Sequence, residues 1–415
     1  MKTKPFVISK RQVLQAYELV KANAGGAGLD QQSLADYAVN LEDNLYKLWN
    51  RLSSGSYFPP AVKAVAIPKK AGGERLLGIP TVGDRIAQTV VKLELEPQVE
   101  PHFLPDSYGY RPNKSALDAI GVTRERCWRY DWVLEFDIKG LFDYIPHDLL
   151  LKAVHKHTDN PWVRLTIGRW LTAPMVMPDG ERVERTMGTP QGGVISPLLA
   201  NLYLHYVFDR WLTKHYPDVP WCRYADDGLL HCRTEAEAEQ LLAVLDARFQ
   251  SCGLTLHPEK THIVYCKDVR RKGKAEQVTF DFLGYTFSQR RCTSRDQQRL
   301  FMGFNPAISK ASLKSVRLKI RKLRVPRCTS MSLEMLADWL NPMIAGWFNY
   351  YGRYHRSALY VISRHINQVL VRWVRRKYKA LRQHKARSVQ FLEEIARQSP
   401  GLFAHWRMGM TGAFV

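Results

Sequence analysis

The chain has 415 residues, 45% of them apolar, enough for two or three domains with substantial cores. Lys and Arg number 61 against 39 Asp and Glu, a formal net charge of +22 that favours a polyanionic partner, either nucleic acid or an acidic membrane face. No run approaches the ~20 apolar residues of a membrane span, the N-terminus lacks a secretory pattern, and seven scattered cysteines without a C-x-x-C pair argue against a zinc ribbon, a redox motif or a disulfide framework.

Residues 8–52 read as two helical stretches separated by the flexible segment Asn23-Ala24-Gly25-Gly26-Ala27-Gly28. From about 60 to 290, short β-rich runs alternate with helical ones, an α+β pattern. WVLEFDI (132–138) has the length and composition of a strand. WCRY-ADDG-LLHC (221–232) reads as two short strands joined by a tight polar turn. In the segment that follows, Leu241, Leu242, Leu245 and Phe249 recur at helical spacing, and Gly253 sits where a C-terminal cap would. FDFLGYTF (280–287) is a further aromatic strand. A domain boundary is expected near 300, with the remainder helical. There SLKSVRLKIRKLRVP (312–326) sets Leu313, Val316, Ile320 and Leu323 on a helix rich in Lys and Arg, closed by Pro326. A second helix is expected from Ser332 to Leu340 and a separate aromatic-rich region from Asn341 to Tyr354. A last helix near 357–379 carries the basic run Arg372, Arg375, Arg376, Lys377 and Lys379.

Two acidic sites stand out in this basic chain: Asp137 at the end of an apolar strand, and Asp226-Asp227 in the turn of the hairpin. Set side by side, three carboxylates would repel and raise one another's pKa values unless a divalent cation neutralised them. Hard carboxylate oxygens in a phosphate-binding protein suit Mg²⁺. Two such ions would activate an attacking 3′-hydroxyl and stabilise a leaving pyrophosphate. The plainer alternative is an acidic hairpin turn, because Asp-Gly is itself a turn signal.

Tyr224-Ala225-Asp226-Asp227 resembles the Y-x-D-D box of reverse transcriptases. FDIKGLFDYIPH (136–147) resembles the box that supplies the first catalytic Asp, and MGTPQGGVISPLLANLYLH (187–205) the P-Q-G box with Pro190, Gln191 and Gly192. IPKKAGGERLLGIPTVGDRI (67–86), GLTLHPEKT (253–261) and FLGYTF (282–287) complete the series in the family's order. SYGYRPNKSA (107–116) and LNPMIAGWFNYYGRY (340–354) are similar to the reverse transcriptase/maturases of bacterial group II introns, and NAGGAGLD (23–30) to the loop these enzymes place over the template.

The resemblance implies a right-hand polymerase: an N-terminal extension (1–58), fingers and palm with an antiparallel sheet plus helices (59–299), an α-helical thumb or maturase domain (300–380), and a short basic tail (381–415). It implies Asp137, Asp226 and Asp227 as catalytic residues holding two Mg²⁺, with Ile138 offering its backbone carbonyl. It places Lys69 and Arg75 on the triphosphate, where cations suit phosphate geometry. Phe142 becomes the gate against a 2′-hydroxyl, Gln191 a nucleotide or template contact, and Lys260 a proton donor to pyrophosphate or a plain surface lysine. The His257/His262 pair fits no metal spacing and reads as structural. RNA-binding candidates on the helical domain are Lys314, Arg317, Lys319, Arg321, Arg372, Arg375 and Arg376. Expected partners are group II intron RNA, an RNA template with a DNA primer, dNTPs and target DNA, with no membrane. The expected location is the bacterial cytoplasm, on the nucleoid when engaged with DNA. With about 35 residues after the thumb and no Cys among them, no endonuclease is expected. Two rival readings stand beside this one: a splicing-only RNA-binding maturase, and a host-adopted reverse transcriptase for repair or phage defence.

Overall fold

Apolar spacing sets the first elements of the computed structural model, which describes residues 4–68, 73–293, 299–412 and 414. Helix α1 (Lys10–Asn23) buries Val13, Ala16, Tyr17 and Val20, one stripe at i, i+3, i+4 and i+7. The second expected helical stretch is two helices. α2 (Leu34–Val39) starts from a Ser33–Asp36 capping box, and α3 (Leu41–Ser54) restarts at Asn40. The glycine-rich connector between α1 and α2 is held by Arg85, whose guanidinium donates to the carbonyls of Ala24 (3.2 Å) and Gly26 (2.8 Å).

Strands β1 (Val62–Pro68) and β2 (Glu74–Ile79) pair antiparallel, and α4 (Val82–Val99) follows with α1 packed on it. Next come α5 (Ala116–Cys127), β3 (Trp132–Asp137), α6 (Leu141–Tyr144), α7 (His147–His157) and α8 (Pro161–Leu171). The short strands β4 (Met175–Val176) and β5 (Arg182–Val183) extend the first hairpin into a sheet of order β2-β1-β4-β5, in which β1 and β4 run parallel. Helices α9 (Ser196–Leu204) and α10 (Arg210–His215) lead to the hairpin of β6 (Trp221–Tyr224) and β7 (Asp227–Cys232). Then come α11 (Glu235–Ser251) and β8 (His262–Tyr265), giving a second sheet of order β6-β7-β3-β8. That order sets β7 directly beside β3, although Asp137 and Asp227 are far apart in sequence.

The chain divides into two compact units: one of residues up to Ala119 plus Leu134–Ile263, the other of Ile120–Val133 plus Val264 onward. The division therefore falls near 264 and draws in an internal segment, where a single boundary near 300 was expected. A physical reason is the antiparallel pairing of β10 (Tyr285–Thr293) with β11 (Leu300–Ile308), which ties both sides of 300 into one sheet with β9 (Phe280–Phe282). Residues 300–308 are thus strand, not helix. The expected single strand 280–287 is a hairpin, turned at Leu283 (φ +50°) and Gly284 (φ +81°).

In the second unit α12 (Lys310–Lys322) is followed by α13 (Leu333–Tyr351), one continuous helix where two elements were expected. Pro342 removes a backbone donor, yet Leu336, Leu340, Ile344 and Phe348 keep one buried stripe across it, and that burial outweighs the cost. α14 (Tyr360–Lys377), α15 (Lys385–Gln398) and α16 (Ala404–Arg407) complete the unit. The expected basic tail is part of its core: Val389, Leu392, Phe403, Trp406 and Phe414 are buried with Leu336, Leu370 and Trp373. Asn341 stitches it down, donating to the carbonyl of Leu402 (2.9 Å) and accepting from the amide of Ala404 (2.8 Å). Basic composition describes only the outer face of this segment. None of the seven cysteines is in a disulfide, and no helix among the described residues is long and apolar enough to cross a membrane.

Candidate active site

β3 is covered on both faces, with Val133, Leu134 and Phe136 buried, so Asp137 at the strand's end has little exposure, and Lys260 reaches it there, Nζ to Oδ2 at 3.0 Å. The backbone carbonyl of Asp137 accepts from the amide of His257 at 2.8 Å, and Ile138 bridges Leu256 with its side chain buried. The other two carboxylates come from the β6–β7 hairpin. Tyr224 pairs with Asp227, leaving a two-residue turn whose first residue, Ala225, has φ +57°. The glycine after Asp227 is not part of that turn. Gly228 lies within β7, and a Cβ on it would run into the ring of Phe136 on β3.

Electrostatics shows that the three carboxylates share one locale. Burial, then the charge of Asp137, raises Asp226. Burial, the charges of Asp226 and Asp137, and a hydrogen bond with Asp137 push Asp227 up to about 8. Among the described residues no three Asp, Glu, His or Cys side chains converge as a ready-made ligand set for one ion. Crowded, mutually repelling carboxylates are nonetheless the donor chemistry that a hard divalent cation relieves, and Mg²⁺ commonly takes one or two carboxylates and completes its shell with water and substrate phosphate.

Beneath the turn lies a network that composition did not signal. Arg223 is fully buried and forms a two-pronged ion pair with Asp209 (2.6 and 2.7 Å). It also donates to Asn201 (3.0 Å), Ser107 (2.9 Å) and the carbonyl of Ala225 in the turn itself (3.1 Å). Burial raises the Asp209 carboxyl, and the guanidinium opposes that. The segment 106–110 runs alongside: Tyr108 donates to the carbonyl of Arg223 (2.8 Å), and a Cβ on Gly109 would lie 2.5 Å from the amide nitrogen of Ala225. This close approach delivers Tyr110, half exposed with φ +57°, to the carboxylates. Burial and the charges of Asp226 and Asp227 raise its phenol, and Arg75 opposes them. Tyr110 was not singled out from sequence, and its left-handed backbone has no compositional signature.

The P-Q-G box joins the turn after β3 to β2. Gly188 donates to the carbonyl of Ile145 (2.8 Å), Thr189 to that of Phe142 (2.6 Å), and Gly78 of β2 to that of Gln191 (2.6 Å). The Gln191 amide donates to Asp143 at 3.0 and 3.2 Å. Phe142 is half-buried, so its ring is not closed off in the core. Arg75 is exposed on β2, and Lys69 lies outside the described residues. The structure thus gathers Asp137, Asp226, Asp227 and Lys260, and ties Phe142 to Thr189 and Asp143 to Gln191.

The basic candidates belong to the second unit. Lys314, Arg317 and Arg321 line one shallow groove of about 380 Å³ on α12, while Lys319 is exposed outside it. Arg372, Arg375 and Arg376 border a different cavity together with Arg324, Arg327 and Arg382, which sequence reasoning did not assemble.

The reverse transcriptase (RNA-dependent DNA polymerase) family profile matches residues 67–287, over half of the chain. The chain belongs to the reverse transcriptase family. Its α+β architecture is the polymerase fold of that family, whose members work with a divalent metal. The group II intron maturase-specific domain matches residues 313–390. Protein YkfC of Escherichia coli K12 is 32% identical over 311 residues, covering 64% of this chain and 76% of that one. The group II intron-encoded protein LtrA of Lactococcus lactis subsp. cremoris is 36% identical over 193 residues, 46% of this chain and 32% of that one. A 91 kDa protein in the cob intron of Schizosaccharomyces pombe is 26% identical over 433 aligned residues, 86% of this chain and 52% of that one. The chain therefore spans about three quarters of the first relative, a third of the second and half of the third. A solved telomerase structure from Candida albicans matches with a TM-score of 0.46 and 12% identity, over 92% of this chain and 69% of that one.

Proposed function

We propose that this reverse transcriptase extends a DNA primer on an RNA template and binds group II intron RNA, assisting its splicing and mobility. The observation that carries the polymerase reading is the shared locale of Asp137, Asp226 and Asp227, with Lys260 in contact with the first. Asp137, Asp226, Asp227 and the carbonyl of Ile138 would hold two Mg²⁺. Bound there, the ions would supply activation of the primer 3′-hydroxyl and neutralise charge on the leaving pyrophosphate. Arg75 and Lys69 would grip the triphosphate of a dNTP, Phe142 would close the space of a 2′-hydroxyl, and Gln191 would orient the nucleotide or template. Lys260 is poised to pass a proton toward pyrophosphate. The maturase-specific match supports the intron RNA as partner; target DNA would be the site of integration. The work would be done in a bacterial cytoplasm, at the nucleoid when DNA is engaged.

The test is Mg²⁺-dependent primer extension on an RNA template by Asp227→Asn. Extension is expected to fall by about 10³-fold or more, equivalent to roughly 4 kcal/mol of transition-state stabilisation, with RNA binding retained. Appreciable synthesis by the variant would overturn the assignment of the site.

A further inference from the structure

The second unit holds a cavity of about 440 Å³ lined by six arginines: Arg324, Arg327, Arg372, Arg375, Arg376 and Arg382. Three sequence segments build it. They are the connection after α12, the C-terminal end of α14, and the turn before α15. No Asp or Glu lines it among the described residues, and none of the six is paired there with a carboxylate. Guanidinium groups stay protonated, so the cavity carries a permanent, self-repelling positive charge. The negative end of the α14 dipole offsets only part of that for Arg375 and Arg376.

The walls are fixed independently of any ligand. Trp373, fully buried, donates to the carbonyl of Cys328 at 2.9 Å. Lys377 reaches back to the carbonyls of Met331 (2.6 Å) and Thr329 (3.1 Å), and Val325 is buried beneath. Arg324 itself holds φ +50°, an unusual backbone for a non-glycine residue, and starts the short helical turn Val325–Arg327. Arg375 donates through Nε to the carbonyl of Arg382 (3.2 Å), so one cavity arginine positions the next segment while its terminal nitrogens remain for an anion.

We propose that this cavity is a receptor for clustered phosphates, contributed by a sharply bent RNA strand. Six guanidinium groups from three segments converge on this one concavity, whereas the groove of similar volume on α12 is lined by two lysines and two arginines of a single helix. A regular duplex presents its phosphates evenly along a convex surface, which suits a row of cations spaced along one helix such as that on α12. Where a strand folds back on itself, neighbouring phosphates project together, and several guanidinium forks can each take one in bidentate fashion. The inference rests on the RNA-binding reading above and adds which shape of RNA is held, and where.

The experiment uses the full chain and fluorescence anisotropy at several salt concentrations. The probes are an RNA duplex with a three-nucleotide bulge and the same duplex fully paired, with inorganic tripolyphosphate as competitor. The wild type is expected to prefer the bulged RNA and to release it to tripolyphosphate. Arg324→Gln/Arg327→Gln is expected to lower the bulged-to-paired affinity ratio by about tenfold or more. Its salt slope on the bulged RNA should flatten by about 1.4, two contacts at roughly 0.7 each. Because Arg324 sits on a special backbone, Arg382→Gln serves as a second variant, with a loss of the same sign and a slope change of about 0.7. A wild type that does not discriminate, or variants that keep the preference, would overturn the proposal. Tripolyphosphate bound through these arginines without displacing RNA would assign the site to free polyphosphate and overturn its RNA source. Absence of RNA binding altogether would instead fail the broader functional reading.

Discussion

Gly228 and Phe136 occupy complementary volumes on neighbouring strands: the ring fills the space that any side chain at 228 would require. The β6–β7 hairpin can therefore lie flat against β3, which is what brings Asp227 to Asp137. Gly228→Ala is expected to cost about 1–3 kcal/mol of stability by overpacking and to depress primer extension further by displacing a carboxylate. Adding Phe136→Leu should restore part of both, as read by denaturant unfolding and extension assays. A double variant no better than Gly228→Ala would show that the ring is not the obstacle.

Phe142 stands half-buried one hydrogen bond from the P-Q-G box. Phe142→Ala is expected to raise the ratio of ribonucleotide to deoxyribonucleotide incorporation by about 10–200-fold, the range of a steric barrier of roughly 1–3 kcal/mol. The ratio is measured on one template with one primer, and an unchanged value would make Phe142 a packing residue.

The face of α12 separates residues that look equivalent in sequence. Lys314, Arg317 and Arg321 share the groove and Lys319 does not. Charge reversal at any of the first three should weaken RNA binding and reduce the salt slope by about 0.7–0.9, whereas Lys319→Glu should do so less. Equal effects at all four positions would mean that only net charge matters.

Acid stability has a sign fixed by two buried imidazoles. Burial lowers His405 to about 3, where it contacts Asn367 at 2.7 Å, and lowers His205 to about 3 as well. An unfolded chain takes up those protons near pH 6.5 and the folded chain does not. Their contribution is thus fully present above about pH 6.5 and is lost progressively as pH falls toward 3, at up to ~1.4 kcal/mol per pH unit for each histidine. His405→Gln should lower stability at neutral pH and flatten the acid slope, measured by urea unfolding at pH 7, 6 and 5. An identical slope would remove His405 as a source.

Elements whose determinants are local were legible from sequence. β3, the Tyr224–Asp227 hairpin and α11 with Gly253 (φ +72°) after it each follow from residue spacing within one segment. The misread elements needed distant partners. Pro342 reads as a break until the buried stripe on both sides of it is seen to face one core, and residues 385–414 read as a basic tail until Phe403, Trp406 and Phe414 find theirs. The same holds for the site. Its carboxylates announce themselves as acid in a basic chain, whereas Tyr110 and the Arg223–Asp209 pair matter only through folded proximity.

The internal segment Ile120–Val133 belongs with the residues after Val264. Within that unit Arg124 donates to the side chain of Asn305 (2.8 Å), Trp128 to the carbonyl of Phe304 (2.9 Å), and Arg271 to the carbonyl of Cys127 (2.7 Å). A fragment cut at 300 would strip β11 of β10 and of these anchors, so the second unit cannot be expressed or exchanged as a simple C-terminal cassette. Recombination that swaps this unit between relatives would have to move two stretches of gene at once. Point substitution is the easier route by which such a chain can change the RNA it serves.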